Sequence, residues 1–490
     1  MPGASKVLAN LREAIEACRL RDGAVLSFHH HLRNGDAVLN LVLEAAANRG
    51  LRNLTVAASS IFPVHAPLVE HIRSGVVTRI VTSYVSGPVA DAITAGLLPV
   101  PAVLQTHGGR AMSIETGRLT IDAAFIAAPT ADPAGNLTGA VGPASCGPLG
   151  YAMVDARHAR HVVGVTDHLV DFPALPIDIS QDDVDFVVKV DSIGDPAGIL
   201  SGTTRPTGDP LGLHIASLAA QAIGASGLLG TDFSFQTGAG GISLAVAREL
   251  ARIMTERQVQ GSFAAGGVTG ALCDMLEAGL FRSIFDVQCF DLRAVQSYRD
   301  DPRHVAMSAS VYANPFGRGA MVDRLKAMVL GAAEVDLDFN VNVTLGSGGR
   351  ILGGSGGHAD TADGAALAMV TTRLASSAGS KLVERVACIT TPGHTIDLVV
   401  TEAGLAVNPL RGDLRERLVH AGLPVKDIGE LLRLAQAASA PPPEVAHSDP
   451  ARVVAVVEYR DGSVIDTVRA VGRPREVAIS SSPDQRSDRP

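Results

Sequence analysis

The sequence of 490 residues is poor in aromatic side chains: it has no tryptophan, and aromatic residues make up 4% of it. Its cores must therefore be built from alanine, valine, leucine and isoleucine, and 51 glycines accompany them. Such a composition suits parallel sheets that are covered by helices on both faces. An excess of basic residues is also lacking, because the formal net charge is −9. A nucleic-acid partner calls for a basic face, so the charge argues against this class of partner.

Cysteine is scarce, and none of the five cysteines is part of a CxxC motif. An odd number of scattered cysteines predicts free thiols in a reducing compartment. No run of apolar residues approaches the roughly 18 residues that cross a bilayer, and no apolar secretory segment stands near the N-terminus. We therefore expect a cytoplasmic protein without a membrane segment. The cysteines are Cys18, Cys146, Cys273, Cys289 and Cys388.

What the sequence does contain is an internal repeat. Ser27–Gly35, SFHHHLRNG, matches Ser234–Ile242, SFQTGAGGI, and each segment follows a short apolar strand and leads into a helix. Three further pairs of segments match in the same order. Short strands that alternate with helices predict βαβ units and a mainly parallel sheet. The fold class that we predict is α/β, with two related domains.

The predicted domains are residues 1–210 and 211–472, followed by a disordered tail over 473–490. The join lies in Ser201–Pro210, where glycine, proline and threonine cluster. A proline-rich connector, Ala437–Pro450, precedes a hairpin that turns at an Asp-Gly pair.

Two glycine-rich segments are candidates for ligand binding. Phe233–Ala251 reads as a strand, a glycine-rich turn and a helix, whose N-terminal amides would favour a carboxylate, phosphate or thioester oxygen. A tight turn without a ligand is the alternative. Gly346–Gly364 has seven glycines in its first twelve residues. It is either a mobile spacer or a loop shaped by a ligand, and we favour the loop.

Polar side chains near turns are further candidates. His107 and Arg110 flank two glycines, and arginine can hold a carboxylate through two N–H bonds. A surface arginine in a turn is the alternative. Glu402 follows the apolar strand Asp397–Val400, where a carboxylate would face a crevice of an open α/β sheet. It could equally cap the next turn.

The run LSFHHHLRNGD raises the question of a metal site. Successive side chains of a strand point to opposite faces, so His29 and His31 share one face while His30 points away. Three adjacent residues therefore cannot easily surround one zinc ion, and no HExxH or CxxC spacing lies nearby. We predict no metal, and we expect this run to be a turn that binds a ligand.

Six segments together resemble the α subunit family of bacterial citrate lyase. They are SFHHHLRNGD, THGGRAM, SCGPLGYAMVDA, FSFQTGAGGISLAV, SGGHADTA and VVTEAGLAVNP, and the resemblance runs from about Val25 to Val468. It implies the NagB/RpiA/CoA transferase-like fold and an oligomeric complex with a β (lyase) subunit and a γ (acyl carrier, ACP) subunit. It also implies that acetyl-ACP and citrate give citryl-ACP and acetate. No cofactor is expected on this chain itself, which would act on the phosphoribosyl-dephospho-coenzyme A of the carrier.

One departure from related coenzyme A transferases is informative. Many of them use a glutamate of the second domain to form a covalent intermediate, but the aligned segment here, Phe263–Gly270 (FAAGGVTG), has no acid. The resemblance thus implies direct transfer through a citryl–acetyl mixed anhydride. Such a reaction needs orientation, oxyanion donors and exclusion of water, and glycine-loop amides can supply the donors.

The predicted site residues fall into three groups. Those predicted to be catalytic are Gly238, Gly240, Gly241, Gly356, Gly357 and Glu402. Those predicted to contact the carrier's prosthetic group are Thr237 and Ser355. Those predicted to bind citrate, with Arg110 the first choice, are His29, His31, Arg33, His107, Gly108, Gly109, Arg110 and His358. A coenzyme A transferase for another acid such as citramalate, or a thioesterase, is the alternative enzyme. A ligand-sensing regulator is the non-enzymatic alternative, although no helix-turn-helix accompanies it.

Overall fold

Two large sheets organise the chain, one of 10 strands and one of 9 strands. The computed structural model describes residues 5–200, 205–439 and 449–471. The strands are β1 (Val7–Leu8), β2 (Val25–Phe28), β3 (Leu54–Ala58), β4 (Val77–Thr82), β5 (Ala102–Leu104), β6 (Ala123–Ala127), β7 (Thr130–Ala131), β8 (Leu137–Thr138), β9 (Val162–Thr166), β10 (Phe186–Lys189), β11 (Ser234–Thr237), β12 (Gly261–Val268), β13 (Phe281–Cys289), β14 (His304–Ala306), β15 (Ala327–Gly331), β16 (Glu334–Val335), β17 (Val341–Asn342), β18 (Ala368–Thr371), β19 (Ala375–Ser376), β20 (Gly379–Ser380), β21 (Leu398–Thr401), β22 (Gly404–Val407), β23 (Val425–Lys426), β24 (Asp449–Glu458) and β25 (Val464–Ala470).

Helices cover the sheets. They are α1 (Leu11–Ala17), α2 (Val38–Asn48), α3 (Leu68–Arg73), α4 (Pro88–Thr94), α5 (His107–Glu115), α6 (Ala152–His158), α7 (Pro210–Ala225), α8 (Gly241–Glu256), α9 (Gly270–Glu277), α10 (Leu292–Asp300), α11 (Ala309–Ala313), α12 (His358–Gly364), α13 (Gly412–His420) and α14 (Ile428–Ala437). Strands β3, β6 and β9 are buried along their whole length, as parallel strands covered on both faces must be. Among the described residues, no helix is long and apolar enough to span a membrane.

The strand order confirms the internal repeat. In the first sheet the order β10-β9-β6-β2-β3-β4-β5 matches β21-β18-β15-β11-β12-β13-β14 of the second. All of these pairs are parallel, which confirms the predicted fold class. Strands β2 and β11 are the middle strands of the two matching sets of seven, so the histidine run and the first glycine-rich turn follow equivalent strands. The five cysteines are all unpaired and buried, as predicted.

The C-terminal hairpin differs from the prediction. Strand β24 pairs in parallel with β5, and β25 pairs with β24, so residues 449–470 extend the first sheet. Residues 449–470, which the prediction assigns to the second domain (211–472), therefore belong to the first sheet. The physical reason is that β5 offers an open edge, and Ala455 and Val457 of β24 are buried against it. The tail over 473–490 and most of the proline-rich connector lie outside the described residues.

Candidate active site

A cavity of about 590 Å³ lies where the carboxyl ends of the two sets of strands meet. Turns that follow β2, β3, β4 and β5 form one wall, and turns that follow β11, β13 and β15 form the other. The glycine-rich segment Gly353–His358 completes the lining. Crevices at strand carboxyl ends are where open α/β sheets bind ligands, and the volume is typical of small-molecule sites.

The histidine run places its middle member in the cavity. His30 lines the cavity, whereas His29 and His31 are buried behind it. His29 Nε2 lies 3.1 Å from the Asp155 carboxylate, and His31 Nε2 accepts the Tyr151 N–H at 3.4 Å. The structure therefore does not bring His29 and His31, which were predicted to bind citrate, into the cavity lining. Strand β2 ends before these residues, at Phe28, so the alternation of faces does not continue through them.

Three rings stack along one wall of the cavity. The Tyr151 ring lies 4.7 Å from His30 and 4.5 Å from His107, centroid to centroid. Burial, and then Arg110, lowers the pKa of His107 to about 3, and burial, then His107, holds the pKa of His30 well below its usual range. Both imidazoles are therefore neutral at physiological pH. The Nδ1 atom of His107 is buried and has no partner among the described residues.

Arg33 is the predicted citrate ligand that best fits the cavity. It lines the cavity, and its guanidinium lies between the rings of Phe62 and Phe290, 5.0 and 4.9 Å from their centroids. Burial lowers its pKa to about 10, so it stays protonated at neutral pH. Its φ of 52° is unfavourable for a side chain of this size and costs on the order of 1–3 kcal/mol. Strain of this kind clusters at ligand sites.

Arg110, the first choice of the sequence analysis, does not face the cavity. Its Nη2 lies 2.7 Å from Asp155 Oδ1 and 2.9 Å from Ser27 Oγ, and it also donates to Ala57 O at 3.2 Å. Although burial raises the pKa of Asp155, Arg110 and His29 hold that pKa well below its usual range. The structure therefore places the Arg110 guanidinium against an internal carboxylate, and not in the cavity lining as predicted.

The two glycines before Arg110 also have structural roles. The Gly108 N–H donates to Asp360 at 2.9 Å, and a Cβ on Gly108 would lie 2.0 Å from the Ala313 carbonyl oxygen. The Gly109 N–H donates to Thr106 Oγ1 at 2.8 Å, which caps α5. These glycines allow α5 to pack closely against the second half of the chain. Neither glycine lines the cavity in which citrate contacts were predicted for them.

The glycine loops line the cavity, but two of their amides are already used. The Gly238 N–H donates to Val329 O at 2.7 Å, and the Gly356 N–H donates to Ser83 O at 3.0 Å. Neither amide can therefore serve as the predicted oxyanion donor. Gly240 and Gly357 also line the cavity, with Thr237 and Ser355 beside them, while Gly241 lines an adjoining cavity of about 210 Å³. Thr237 Oγ1 is buried and has no partner among the described residues.

Two further predictions have different outcomes. Glu402 does not line the cavity, because its carboxylate accepts the Leu374 N–H at 3.0 and 3.2 Å. The structure therefore places Glu402 outside the cavity lining, and the N–H that it accepts belongs to the turn after β18 and not to the turn that follows Glu402. His358 does line the cavity, but both ring nitrogens have partners, Thr391 Oγ1 at 2.7 Å and Gly331 O at 3.0 Å. Burial lowers the pKa of His358 to about 4, so the ring is neutral.

Several cavity residues were absent from the predicted site. Tyr151 lay in a segment that carried the family resemblance, and Gln236 lay in the glycine-rich turn. Gln288 and Tyr312 had no sequence signal beyond their positions near an element end. The Gln236 Nε2 donates to the Tyr312 hydroxyl at 2.8 Å, and the Oε1 atoms of both glutamines are buried without a partner among the described residues.

The cavity has no acidic nucleophile in the described part of the chain: its lining includes no aspartate, glutamate or cysteine. Strand β12, which contains no acidic residue, also has no room for an acidic side chain. A Cβ on Gly266 would lie 2.5 Å from the Gln236 side chain, and a Cβ on Gly267 would lie 2.1 Å from the Phe290 ring. A glutamate at either position would clash with groups that line the cavity.

Replacing Arg110 by alanine should destabilise the fold instead of acting on citrate binding alone. The change leaves the Asp155 carboxylate buried without its guanidinium, and removing one partner of such a pair costs about 3–5 kcal/mol. Urea unfolding measures the loss. The exposed Arg157 on the same helix as Asp155 provides the control, because Arg157→Ala should change stability by less than about 0.5 kcal/mol. Unchanged stability with a raised citrate KM would restore the substrate role of Arg110.

Replacing His358 by glutamine should flatten the dependence of stability on pH. The folded-state pKa of about 4 lies below the unperturbed value of about 6.5, so the unfolded chain takes up the proton first. The stabilisation is thus complete above pH 6.5 and is lost as the pH falls towards 4. Between pH 7 and 5 we expect His358 to account for about 1–2 kcal/mol of that loss.

The measurement is urea unfolding of the wild type and His358→Gln at pH 7, 6 and 5. Exposed His420→Gln is the control and should retain the wild-type slope. An equal slope in wild type and His358→Gln would mean that this imidazole is not kept neutral by the fold.

Comparison with known proteins identifies the family. A family profile described as "Citrate lyase, alpha subunit (CitF)" matches residues 4–471. The citrate lyase alpha chain of Escherichia coli (strain K12) is 48% identical over 466 residues, which cover 95% of this chain and 91% of that protein.

Solved structures agree with this result. An α subunit of citrate lyase from Streptococcus mutans, solved in complex with citrate, superposes with a TM-score of 0.94 at 45% identity, covering 96% of this chain and 92% of that one. A 4-hydroxybutyrate CoA-transferase from Porphyromonas gingivalis shares the fold, with a TM-score of 0.55 at 17% identity and coverage of 88% and 97%. The chain therefore belongs to the citrate lyase α subunit family.

Proposed function

We propose that this chain transfers the thiol of the acyl carrier from an acetyl group to citrate. Acetyl-ACP and citrate thereby give citryl-ACP and acetate. The observation that carries the proposal is the family membership over nearly the whole chain, combined with a cavity that presents a buried guanidinium. Arg33 holds a citrate carboxylate there. The partners are the carrier (γ) and lyase (β) subunits of a citrate lyase complex, and β would cleave the citryl thioester.

The reaction proceeds by direct transfer between the two substrates. A citrate carboxylate oxygen attacks the thioester carbonyl of acetyl-ACP, and the carbon–sulfur bond then breaks to release the carrier thiolate. The thiolate attacks the citryl carbonyl of the resulting citryl–acetyl anhydride, and acetate leaves. No net proton transfer is needed. The acid-free lining of the described cavity supports this route, because it offers no carboxylate to form an enzyme-bound anhydride.

The residues of the cavity have corresponding roles. Neutral His30 and His107 offer ring nitrogens to polar groups without adding charge, and Phe62 and Phe290 exclude water from the Arg33 guanidinium. Exclusion of water matters because water would hydrolyse the anhydride and would weaken each electrostatic contact. Thr237 Oγ1, which has no partner in the described part of the chain, is available to the acyl end of the carrier's prosthetic arm.

The test is a single-turnover assay with the purified full-length chain, acetylated carrier and citrate, without the lyase subunit. Intact-mass spectrometry should show the carrier change from acetyl to citryl, with release of one acetate, and no acyl adduct on this chain. An adduct that survives denaturation would contradict direct transfer. Citramalate serves as the competing acid, and transfer to citramalate in preference to citrate would replace the proposed substrate.

Replacing Arg33 by lysine should weaken citrate binding selectively. Lysine keeps a positive charge but loses the planar donor pair and the contact with two rings, and a charge-assisted hydrogen bond is worth about 1.5–3 kcal/mol. The citrate KM should therefore rise about 10- to 100-fold, while the KM for acetyl-ACP changes by less than about threefold. Steady-state kinetics with each substrate varied measures both.

Arg19→Lys is a matched control for this variant. Arg19 also has a positive φ, of 51°, but it is exposed and outside the cavity lining. It should leave both KM values unchanged. An equal rise of both KM values in Arg33→Lys would remove the assignment of Arg33 to citrate.

A further inference from the structure

The end of strand β13 carries a glutamine that faces the cavity in a fixed position. The register of β12 and β13 shifts between Gly266, which pairs with Asp286, and Gly267, which pairs with Gln288. One extra residue in a strand re-aims the side chains that follow it. Gln288 and Phe290 consequently both line the cavity.

A buried network holds this strand end. The Gln288 N–H donates to Asp286 Oδ1 at 2.7 Å. The other oxygen of Asp286 lies 3.1 Å from both Cys289 Sγ and His304 Nε2. Asp286, Cys289 and His304 are fully buried, so the backbone that carries Gln288 has little freedom.

The amide of Gln288 has one orientation. Its Nε2 donates to the backbone carbonyl oxygen of His30 at 2.5 Å, and a carbonyl oxygen can only accept. The Oε1 atom is therefore the remaining group, and it is buried without a partner among the described residues. Gln236 also has an unpartnered Oε1, but its Nε2 contacts the Tyr312 hydroxyl, which can donate or accept. Of these two glutamines, only Gln288 is thus an unambiguous acceptor.

An unpartnered acceptor that lines a binding cavity is a position at which a donor on the ligand can be recognised. Ionised carboxylates cannot satisfy Oε1, because they have no proton to donate. A hydroxyl group can. The carbonyl that holds Gln288 belongs to His30, three residues before Arg33, and the ring of Phe290 lies on the Arg33 guanidinium. The acceptor and the cation therefore belong to the same wall of the cavity.

We propose that Gln288 Oε1 accepts a hydrogen bond from the hydroxyl of an α-hydroxy acid, while Arg33 binds the carboxylate on the same carbon. This assignment depends on the proposed function, which identifies the cavity as the site that binds the acid. It makes Gln288 a specificity residue, which selects α-hydroxy polycarboxylates over polycarboxylates of the same shape without the hydroxyl. Citrate and citramalate share this unit, so the contact would serve either acid.

The test compares citrate with tricarballylate, which is citrate without its hydroxyl. Isothermal titration of the full-length wild-type chain should show citrate binding about 10- to 100-fold more tightly, since a lost partner leaves the Gln288 oxygen buried and unpaired. Equal affinity for the two acids would overturn the proposal, and this result does not depend on any variant.

A second experiment replaces Gln288 by methionine, which has a similar shape and no strong hydrogen-bond acceptor. Citrate affinity should fall about 10- to 100-fold, and tricarballylate affinity should change by less than about threefold, so the preference disappears. The matched control is Gln221→Met at an exposed position of α7, which should retain the preference. Thermal unfolding of Gln288→Met checks that the variant is folded.

The outcomes separate this inference from the function on which it rests. The amide N–H and hydroxyl groups of the carrier's prosthetic arm are other donors in the reaction. A raised KM for acetyl-ACP in Gln288→Met, with the preference for citrate intact, would assign Oε1 to that arm and overturn the proposal. Failure of citryl transfer in the wild type, with the preference for citrate present, would instead contradict the proposed function alone.

Discussion

The buried ion pair between Arg110 and Asp155 supports the wall of the cavity on which the three rings stack. Each ring lies close in sequence to a member of this network. His107 is one helical turn before Arg110, Tyr151 is one turn before Asp155, and His30 follows His29, whose ring lies 3.1 Å from Asp155. The ion pair also reaches β2 and β3 through Ser27 and Ala57. It therefore fixes the relative positions of the two helices and two strands that present these rings.

The shape of the opposite wall depends on two glycines, which have no side chains. Gly266 and Gly267 leave the space into which Gln236 and the Phe290 ring fit, so polar amides and an aromatic ring stand where an acid would otherwise project. Phe290 in turn covers one face of the Arg33 guanidinium, and Phe62 from the first half covers the other. A buried cation between two rings is poorly hydrated and strongly attracts an anion. The described lining of the cavity thus offers a positioned charge and polar groups, and it contains no carboxylate or thiol.

The sequence predicts the architecture well because its signals are local. Short apolar strands alternate with helices, and the matching segments around Ser27 and Ser234 do follow equivalent strands of the two sheets. The alternation of faces predicted for the histidine run does not hold, and the reason is local as well: strand β2 ends at Phe28, before the run begins. Arg33 needed no long-range information, because its turn directly follows the central strand.

Other parts of the site could not be predicted, because they depend on contacts between distant residues. Arg110 meets Asp155, which is 45 residues away, and no pattern in the sequence links them. Gln288 acquires its role from a shift in strand register and from the carbonyl of His30, 258 residues away. The hairpin at the C-terminus has the same limitation, since a turn signal identifies a hairpin but not the sheet edge that it joins.

That hairpin links the two halves of the polypeptide. After completing the second sheet, the chain returns to the first, and Arg460 at the hairpin turn reaches Asp363 at 2.5 Å and the Ala313 carbonyl at 3.4 Å. Severing the chain near residue 210 would leave β5 as an exposed edge, which is a template for pairing with other molecules. The two repeated halves, although alike in topology, are therefore joined through a shared sheet, because the first half obtains its edge strands from the end of the chain.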